Sequence, residues 1–465
     1  MTQVVRALVD ALGEDCVLTG ELVHQRAAGI WRRDTIQAKA LVRPRDTAEV
    51  STAMQICHRF DQTVVTHGGL TGLVNGALTQ ADDVVISLER MNAVESVAPM
   101  DRTMVVQAGA VLQAVQEHAE AHGLLFPLDL GGRGSCTIGG NIATNAGGNR
   151  VIRYGMTRDM VLGLEAVLAD GTVLSTMNHM IKNNAGYDLK QLFIGTEGTL
   201  GIVTRAVLRL REQPRHLATL LVAVDAFEKL PALLKHMDAA LGGTLSAFEV
   251  MWDDFYTLVT TEPAKSRPPI PREYPYYVLV EAMGADSAAV EAALAAAYES
   301  ALINDAVLAQ SQRQRQQLWA MRDDVEQCFR DGPTIAFDVS LGISDMEAYV
   351  AEVRERLART FPSWRCYVFG HLGDGNLHLV VGVDGNLREQ RADVEACVYQ
   401  PLESLGGSIS AEHGVGLEKK PYLAISRNAV EIELMRTLKQ ALDPKALLNP
   451  GKIFDPRSAS DEEAA

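Results

Sequence analysis

Short apolar runs and helical periodicities alternate along the first two-fifths of the chain. Runs at Lys39 to Arg43, Thr63 to Thr66, Val84 to Leu88 and Met104 to Ala108 read as strands. Helices are expected from Val50 to Phe60, opened by Pro44 and the capping pair Asp46-x-x-Glu49, and from Val111 to His122. Val161 to Leu168 and Thr172 to Leu174 read as a hairpin turned at Asp170-Gly171, and Ile202 to Leu210 as a strand. Glycine is dense throughout this region and thins out near Pro214, where a boundary is placed.

Strand-then-helix units follow: Leu220 to Val224 with Ala226 to Met237, Tyr277 to Glu281 with Ser287 to Ala301, and Thr334 to Ser340 with Asp345 to Thr360. A further strand, Cys366 to Phe369, leads into the loop of His371. Thr260 to Pro275, with five prolines, reads as a long loop, Val430 to Leu442 as a helix stopped by Asp443-Pro444, and Arg457 to Ala465 as a disordered tail. The pattern predicts an α+β protein whose later half is an antiparallel sheet covered by helices, a cap over a nucleotide site. The expected division is an N-terminal helical segment at 1–38, a nucleotide-binding domain at 39–213, a cap domain at 214–428, and a C-terminal helix and tail at 429–465 that return to the nucleotide-binding domain.

Composition narrows the function. A chain of 465 residues is too long for one ordinary core. Its 43 basic and 59 acidic residues give a charge of −16, which argues against a nucleic-acid surface, because phosphate neutralisation needs clustered Lys and Arg. The six cysteines lack C-x-x-C spacing and read as reduced thiols of a cytoplasmic protein. No apolar stretch approaches the roughly eighteen residues of a membrane span, and the N-terminus has no secretory apolar region.

Chemistry concentrates in a few segments. His67-Gly68-Gly69-Leu70-Thr71-Gly72, Pro127 to Asn149 and Gly195 to Ile202 are glycine-rich turns of the kind that bring backbone N–H groups to a pyrophosphate. The Rossmann spacing G-x-G-x-x-G after the first strand is absent, which disfavours an NAD fold of that type. Near the C-terminus, Gly370 to His378 and Ser410 to Gly414 hold three histidines and the carboxylates of Asp374, a turn former between two glycines, and Glu412. Two imidazoles and a carboxylate suit zinc, with manganese or cobalt as alternatives, and leave positions open for a substrate. Because Glu412 and His413 are adjacent, one can ligate the metal while the other points at the substrate. Arg322, on an expected helix, offers a planar guanidinium for a carboxylate, although Asp323 and Asp324 are also available to it. From the residues alone, a metal-dependent hydrolase and a non-catalytic nucleotide-binding protein compete with a redox enzyme.

Pro127 to Asn149, Arg153-Tyr154-Gly155, Asn184 to Gly201, Gly370 to His378, Ser410 to Gly416 and Leu442 to Lys452 together resemble the flavin-dependent D-2-hydroxyacid dehydrogenases, closest to their D-2-hydroxyglutarate branch. The resemblance implies a two-lobed FAD-binding domain of the vanillyl-alcohol oxidase and p-cresol methylhydroxylase type, with the metal site in the cap. It implies that Gly68, Gly69, Thr71 and Gly72 hold the FAD pyrophosphate, helped by Gly139, Gly140, Asn145 and Gly148. Pro127, Asp129, Ser135 and Asn141 would line the flavin, with Ile202 towards the adenosine and Asn449 near the ring. Leu70, Gly134, Thr144, Tyr154, Glu197 and Gly198 complete the implied FAD set, and His67 stands where a covalent bond to flavin is conceivable. His371, His378 and Glu412 would hold the metal, His413 would be the base, and Arg322 and Asn376 would bind substrate.

The implied reaction is oxidation of a D-2-hydroxyacid to the 2-oxoacid by hydride transfer to flavin, with D-2-hydroxyglutarate the first expectation and D-lactate or glycolate the alternative. Ala336 and Val380 stand where the hydroxyglutarate branch carries a lysine and an asparagine. Beyond the small 2-hydroxyacid, an electron-transfer flavoprotein or a quinone is the expected acceptor partner, and a homodimer is compatible with the pattern.

Overall fold

A computed structural model describes residues 2–455, so the tail from Arg457 to Ala465 lies outside the described residues. The chain divides into two compact units. The first comprises the residues up to Gly148, Gly155–Gln213 and the residues from Glu412 onward; the second comprises Asn149–Tyr154 and Pro214–Ala411.

In the first unit, a four-stranded sheet runs in the order Val17–Thr19, Ala40–Val42, Val84–Ser87, Val64–His67, antiparallel in its first pair and parallel in the others. Ala40–Val42 and Val84–Ser87 are buried along their whole length, as continuous apolar runs in parallel strands are. The helix Thr47–Arg59 starts where the capping pair requires: Asp46 accepts the N–H of Glu49 at 2.9 Å, and Glu49 accepts that of Arg45 at 2.7 Å. A second sheet, antiparallel throughout, orders Val94–Ala98, Thr103–Gln107, Ile202–Arg209, Val161–Val167 and Val173–Ser175. Its last hairpin turns through Gly171, whose φ of +87° suits glycine.

The second unit is built on one seven-stranded antiparallel sheet in the order Asp305–Leu308, Leu217–Val224, Tyr276–Met283, Leu245–Trp252, Trp364–His371, Asn376–Val383, Ile335–Ser340. Helices Asp253–Thr260 and Gln312–Arg322 cover part of it through an apolar cluster that includes Phe255, Leu318, Met321, Phe369 and Val380. Phe255 stacks on Phe369 with centroids 4.1 Å apart. The short helix Val151–Tyr154 belongs to this unit despite its place among the glycine-rich segments. Arg150 Nε donates to Glu281 Oε1 at 3.0 Å, and Arg153 Nη1 donates to the Thr244 carbonyl at 2.9 Å. Among the described residues no helix is long and apolar enough to cross a membrane.

Candidate cofactor and metal sites

In the first unit the glycines let backbone lie against backbone. A Cβ on Gly69 would sit 2.0 Å from the Ser135 carbonyl oxygen, and one on Gly148, at φ +94°, would sit 2.1 Å from that of Asp129. Gly139 presses on Ala108 in the same way, its added Cβ 2.7 Å from the alanine methyl. Three stretches far apart in sequence are thereby drawn together at the end of strand Val64–His67. There the N–H groups of Gly69, Leu70, Thr71 and Gly72 have no backbone acceptor among the described residues, and Leu70 adopts φ +55°. The buried hydroxyls of Thr66 and Thr137 also have no hydrogen-bond partner among the described residues. Unspent N–H groups in a glycine-lined turn fit the pyrophosphate of a dinucleotide such as FAD.

The other residues expected at FAD are less uniform. Asn141 is buried in the helix Ile138–Thr144, whose Thr144 hydroxyl donates to the Gly140 carbonyl at 3.1 Å. Pro127 is buried, Asp129 pairs with Arg133 at 2.9 Å, and Gly134 and Ser135 lie in the turn before that helix. Asn145, at φ +49°, accepts the Arg158 N–H at 3.0 Å. Asn449, at φ +41°, accepts the Thr66 N–H at 2.9 Å and donates to the Glu197 carbonyl, tight against Gly198. Ile202 opens a central strand opposite Val167. Tyr154 falls in the second unit, where its hydroxyl lies 3.8 Å from Met283 Sδ.

Two side chains of this set have clear occupations. His67 is 2 % exposed and its Nε2 bonds to the Ala77 carbonyl at 2.9 Å; desolvation pushes its imidazole down to about 4, so the ring is neutral. The Glu197 carboxylate accepts the backbone N–H groups of Val415 and Gly416, just beyond His413. Its pKa is raised by burial, which outweighs those hydrogen bonds.

In the second unit, His371 ends one strand and His378 lies in the next. The antiparallel register sets Phe369 opposite His378, and the turn Leu372–Asp374 with Gly375 at φ +86° closes the hairpin. The two imidazoles stand edge to face with centroids 5.3 Å apart. Glu249, directly opposite His371 on the neighbouring strand and 1 % exposed, accepts from His371 Nδ1 at 2.7 Å and from Arg322 Nε at 2.9 Å. Burial pushes the Glu249 carboxyl up, but the charges of His371 and Arg322 and their hydrogen bonds outweigh it, leaving the group below its ordinary value. Arg322 is itself buried, with its guanidinium over the Phe369 ring at 5.2 Å.

Asp338, opposite His378 on the other side, is fully buried with Oδ1 3.9 Å from His378 Nδ1. Asn376 Nδ2 donates to Asp338 Oδ1 at 3.0 Å, while Asn376 Oδ1 is buried with no hydrogen-bond partner among the described residues. The second oxygen of Asp338 accepts the N–H of Ala411 at 3.1 Å, fixing the residue covalently joined to Glu412. Within the first unit, Glu412 accepts the Gly148 N–H, which ties it to the glycine-rich segment. Glu249 and Asp338 were not among the residues expected from sequence; a lone carboxylate within a long apolar strand is the signal that could have found both.

Comparison with known proteins agrees with this geometry. Residues 38–177 match a family of FAD-binding domains, and residues 213–453 match the C-terminal domain of FAD-linked oxidases. A D-2-hydroxyglutarate dehydrogenase of Xanthomonas citri pv. viticola is 42 % identical over 92 % of both chains. A mitochondrial D-2-hydroxyglutarate dehydrogenase of Bos taurus is 41 % identical over 90 % of this chain and 77 % of its own. Among solved structures, p-cresol methylhydroxylase aligns with a TM-score of 0.76 at 16 % identity over 98 % of each chain. 4-Ethylphenol oxidase from Gulosibacter chungangensis aligns with a TM-score of 0.75 at 17 % identity, over 98 % of this chain and 97 % of its own. At such identities the likeness is one of fold. The glycine cradle, the domain matches and the close relatives agree: the chain belongs to the FAD-linked oxidase family that contains the D-2-hydroxyglutarate dehydrogenases, and it is an FAD-dependent oxidoreductase.

Proposed function

We propose that the protein oxidises a D-2-hydroxyacid to the 2-oxoacid with the help of a divalent metal held by His371, His378 and Glu412. The observation that carries this reading is the convergence of His371, His378 and Arg322: two imidazoles edge to face, with Arg322 Nη2 3.5 Å from His371 Nε2. An α-hydroxycarboxylate needs both, a metal for its hydroxyl and a cation for its carboxylate. With Nδ1 of His371 donating to Glu249, Nε2 is the nitrogen that would ligate, in exchange for its contact with Arg322. Two histidines and a carboxylate suit zinc, with manganese or cobalt as alternatives.

When bound, the metal supplies a Lewis acid that lowers the pKa of the substrate hydroxyl, and FAD supplies the acceptor for the two electrons that leave the α-carbon. The chain's own residues do the rest. His413 takes the hydroxyl proton, Arg322 pairs with the carboxylate, and Asn376 offers its unspent Oδ1 to the substrate. Electrons then leave to a separate acceptor, an electron-transfer flavoprotein or a quinone, because the sequence carries no second redox motif. The six cysteines are buried and unpaired, which supports a reducing compartment such as the cytoplasm.

D-2-Hydroxyglutarate is the first substrate to test, since it names the most similar relatives reported above. One observation favours a second reading. Ala336 lies directly opposite Val380, two residues along the strand from His378, so a substrate arm reaching there meets a methyl and a buried isopropyl group. That surface suits D-lactate or glycolate better than a second carboxylate.

The purified protein is expected to be yellow and to bleach anaerobically with D-2-hydroxyacids but not their L-forms. His413→Ala should keep its FAD and reduce it about 100- to 10,000-fold more slowly. Wild-type single-turnover rates in that variant would overturn the base assignment, and a flavin that no D-2-hydroxyacid bleaches would overturn the activity.

A further inference from the structure

We infer that Glu249 is a positioning residue that sets the metal ligand and the substrate clamp with a single carboxylate; the inference rests on the roles proposed for His371 and Arg322. Oε1 takes the Nδ1–H of His371 at 2.7 Å and Oε2 takes the Nε–H of Arg322 at 2.9 Å, so both oxygens are engaged, one by each partner.

The arrangement is built into the fold. Glu249 and His371 are register partners on adjacent antiparallel strands, which puts their side chains on the same face of the sheet. Arg322 closes the helix Gln312–Arg322, and the Phe369 ring two residues before His371 lies under its guanidinium. Accepting at Nδ1 fixes the His371 tautomer that puts the ring lone pair on Nε2 and holds the ring plane. The same carboxylate's Oε2 stands 2.9 Å from both Nε and Nη2 of Arg322, so it meets the guanidinium side-on and fixes its plane. One carboxylate therefore sets the spacing between the atom that would hold the metal and the atoms that would hold the substrate's acid group. A shift of either partner moves the other, which an independent pair of supports would not do.

Glu249→Gln tests this directly, because an amide has one accepting atom where two are needed and turns a donor towards one partner. The measurements are zinc affinity by titration of the FAD-loaded protein, and kcat and KM for the best D-2-hydroxyacid. Expected are a roughly 10- to 100-fold weaker zinc affinity and a KM raised about tenfold or more, at unchanged FAD content. Glu249→Asp keeps the charge on a shorter arm and should recover part of both losses, which a general packing defect would not. Wild-type protein that takes up no zinc would overturn the metal assignment itself. A folded, FAD-loaded Glu249→Gln with wild-type zinc affinity and KM would overturn the role of Glu249 alone.

Discussion

The carboxylate of Glu197 accepts the backbone N–H of Val415 at 2.7 Å. Its other oxygen accepts that of Gly416 at 2.8 Å, and a Cβ on Gly414 would lie 2.8 Å from the first oxygen, so the glutamate grips the backbone immediately after His413. The side chain expected at FAD is thus committed to the loop that carries the proposed base. In Glu197→Gln one of two charge-assisted bonds is replaced by a donor facing a donor, a loss of about 1.5–3 kcal/mol. The expected outcome is flavin reduction slowed about tenfold with FAD retained, read by anaerobic stopped-flow. A variant that reduces at the wild-type rate would separate Glu197 from the base.

Metal removal gives a second check. Chelation is expected to slow flavin reduction about 100-fold or more, in keeping with the several kcal/mol that a Lewis acid contributes. Zinc should restore the wild type and leave His378→Ala slow. If the chelated enzyme works normally, the histidines have another task.

Gly69 offers a steric test of the cradle. An added methyl would meet the Ser135 carbonyl oxygen at 2.0 Å, a backbone atom that can yield only if the turn moves. Gly69→Ala should therefore purify with little FAD. Gly131→Ala, where an added Cβ meets nothing within 4 Å, should stay yellow. The absorbance ratio at the flavin band and at 280 nm, the usual protein wavelength, decides it.

Acid acts on the fold through His67. The folded imidazole of His67 is pushed down to about 4 by desolvation, whereas an unfolded histidine titrates near 6.5. Above both values the ring is neutral in either state and contributes nothing to the pH dependence. Between them only the unfolded chain takes up the proton, so stability falls as pH drops from about 6.5 to about 4 and then levels off, by on the order of 3 kcal/mol in total. His67→Gln should flatten that slope, measured as denaturation midpoints of the FAD-loaded protein at pH 7 and pH 5, chosen to lie on either side of about 6.5.

The elements that could be read from sequence are those whose own pattern is consistent. The capped helix Thr47–Arg59, the hairpin at Gly171 and the strands of continuous apolar residues fall within a few residues of expectation. Leu245–Trp252 escaped notice because Ser246 and Glu249 interrupt its apolar run. Their polar atoms are satisfied by distant partners, Glu281 for the serine and both Arg322 and His371 for the glutamate. Leu387–Leu405 contains Pro401, which reads locally as a breaker, yet it forms one helix whose buried side includes Val394, Val398 and Leu402.

The candidate site divides in the same way. Glycines announce themselves because close backbone approach tolerates no Cβ, as at Gly69 and Gly148. The histidines announce themselves by their unusual chemistry between glycines. Glu249 and Asp338 carry no such mark, since their importance comes from which strand lies next to which. That neighbour relation is settled by a seven-stranded topology in which Leu245–Trp252 meets Trp364–His371 across more than a hundred residues of chain.

The six residues from Asn149 to Tyr154 bear on how this protein can be taken apart. A fragment beginning at Pro214 would contain the whole seven-stranded sheet, and by length alone would look like an independent domain. It would lack Arg150, and Glu281, 1 % exposed in the middle of that sheet, would lose the guanidinium that balances it. Removing one partner of a buried pair costs about 3–5 kcal/mol, a large share of what holds a domain folded. The sheet is therefore expected to depend on a segment that sequence order assigns to its neighbour, and excising it at the obvious boundary should yield an unstable product unless Glu281 is neutralised in the same step.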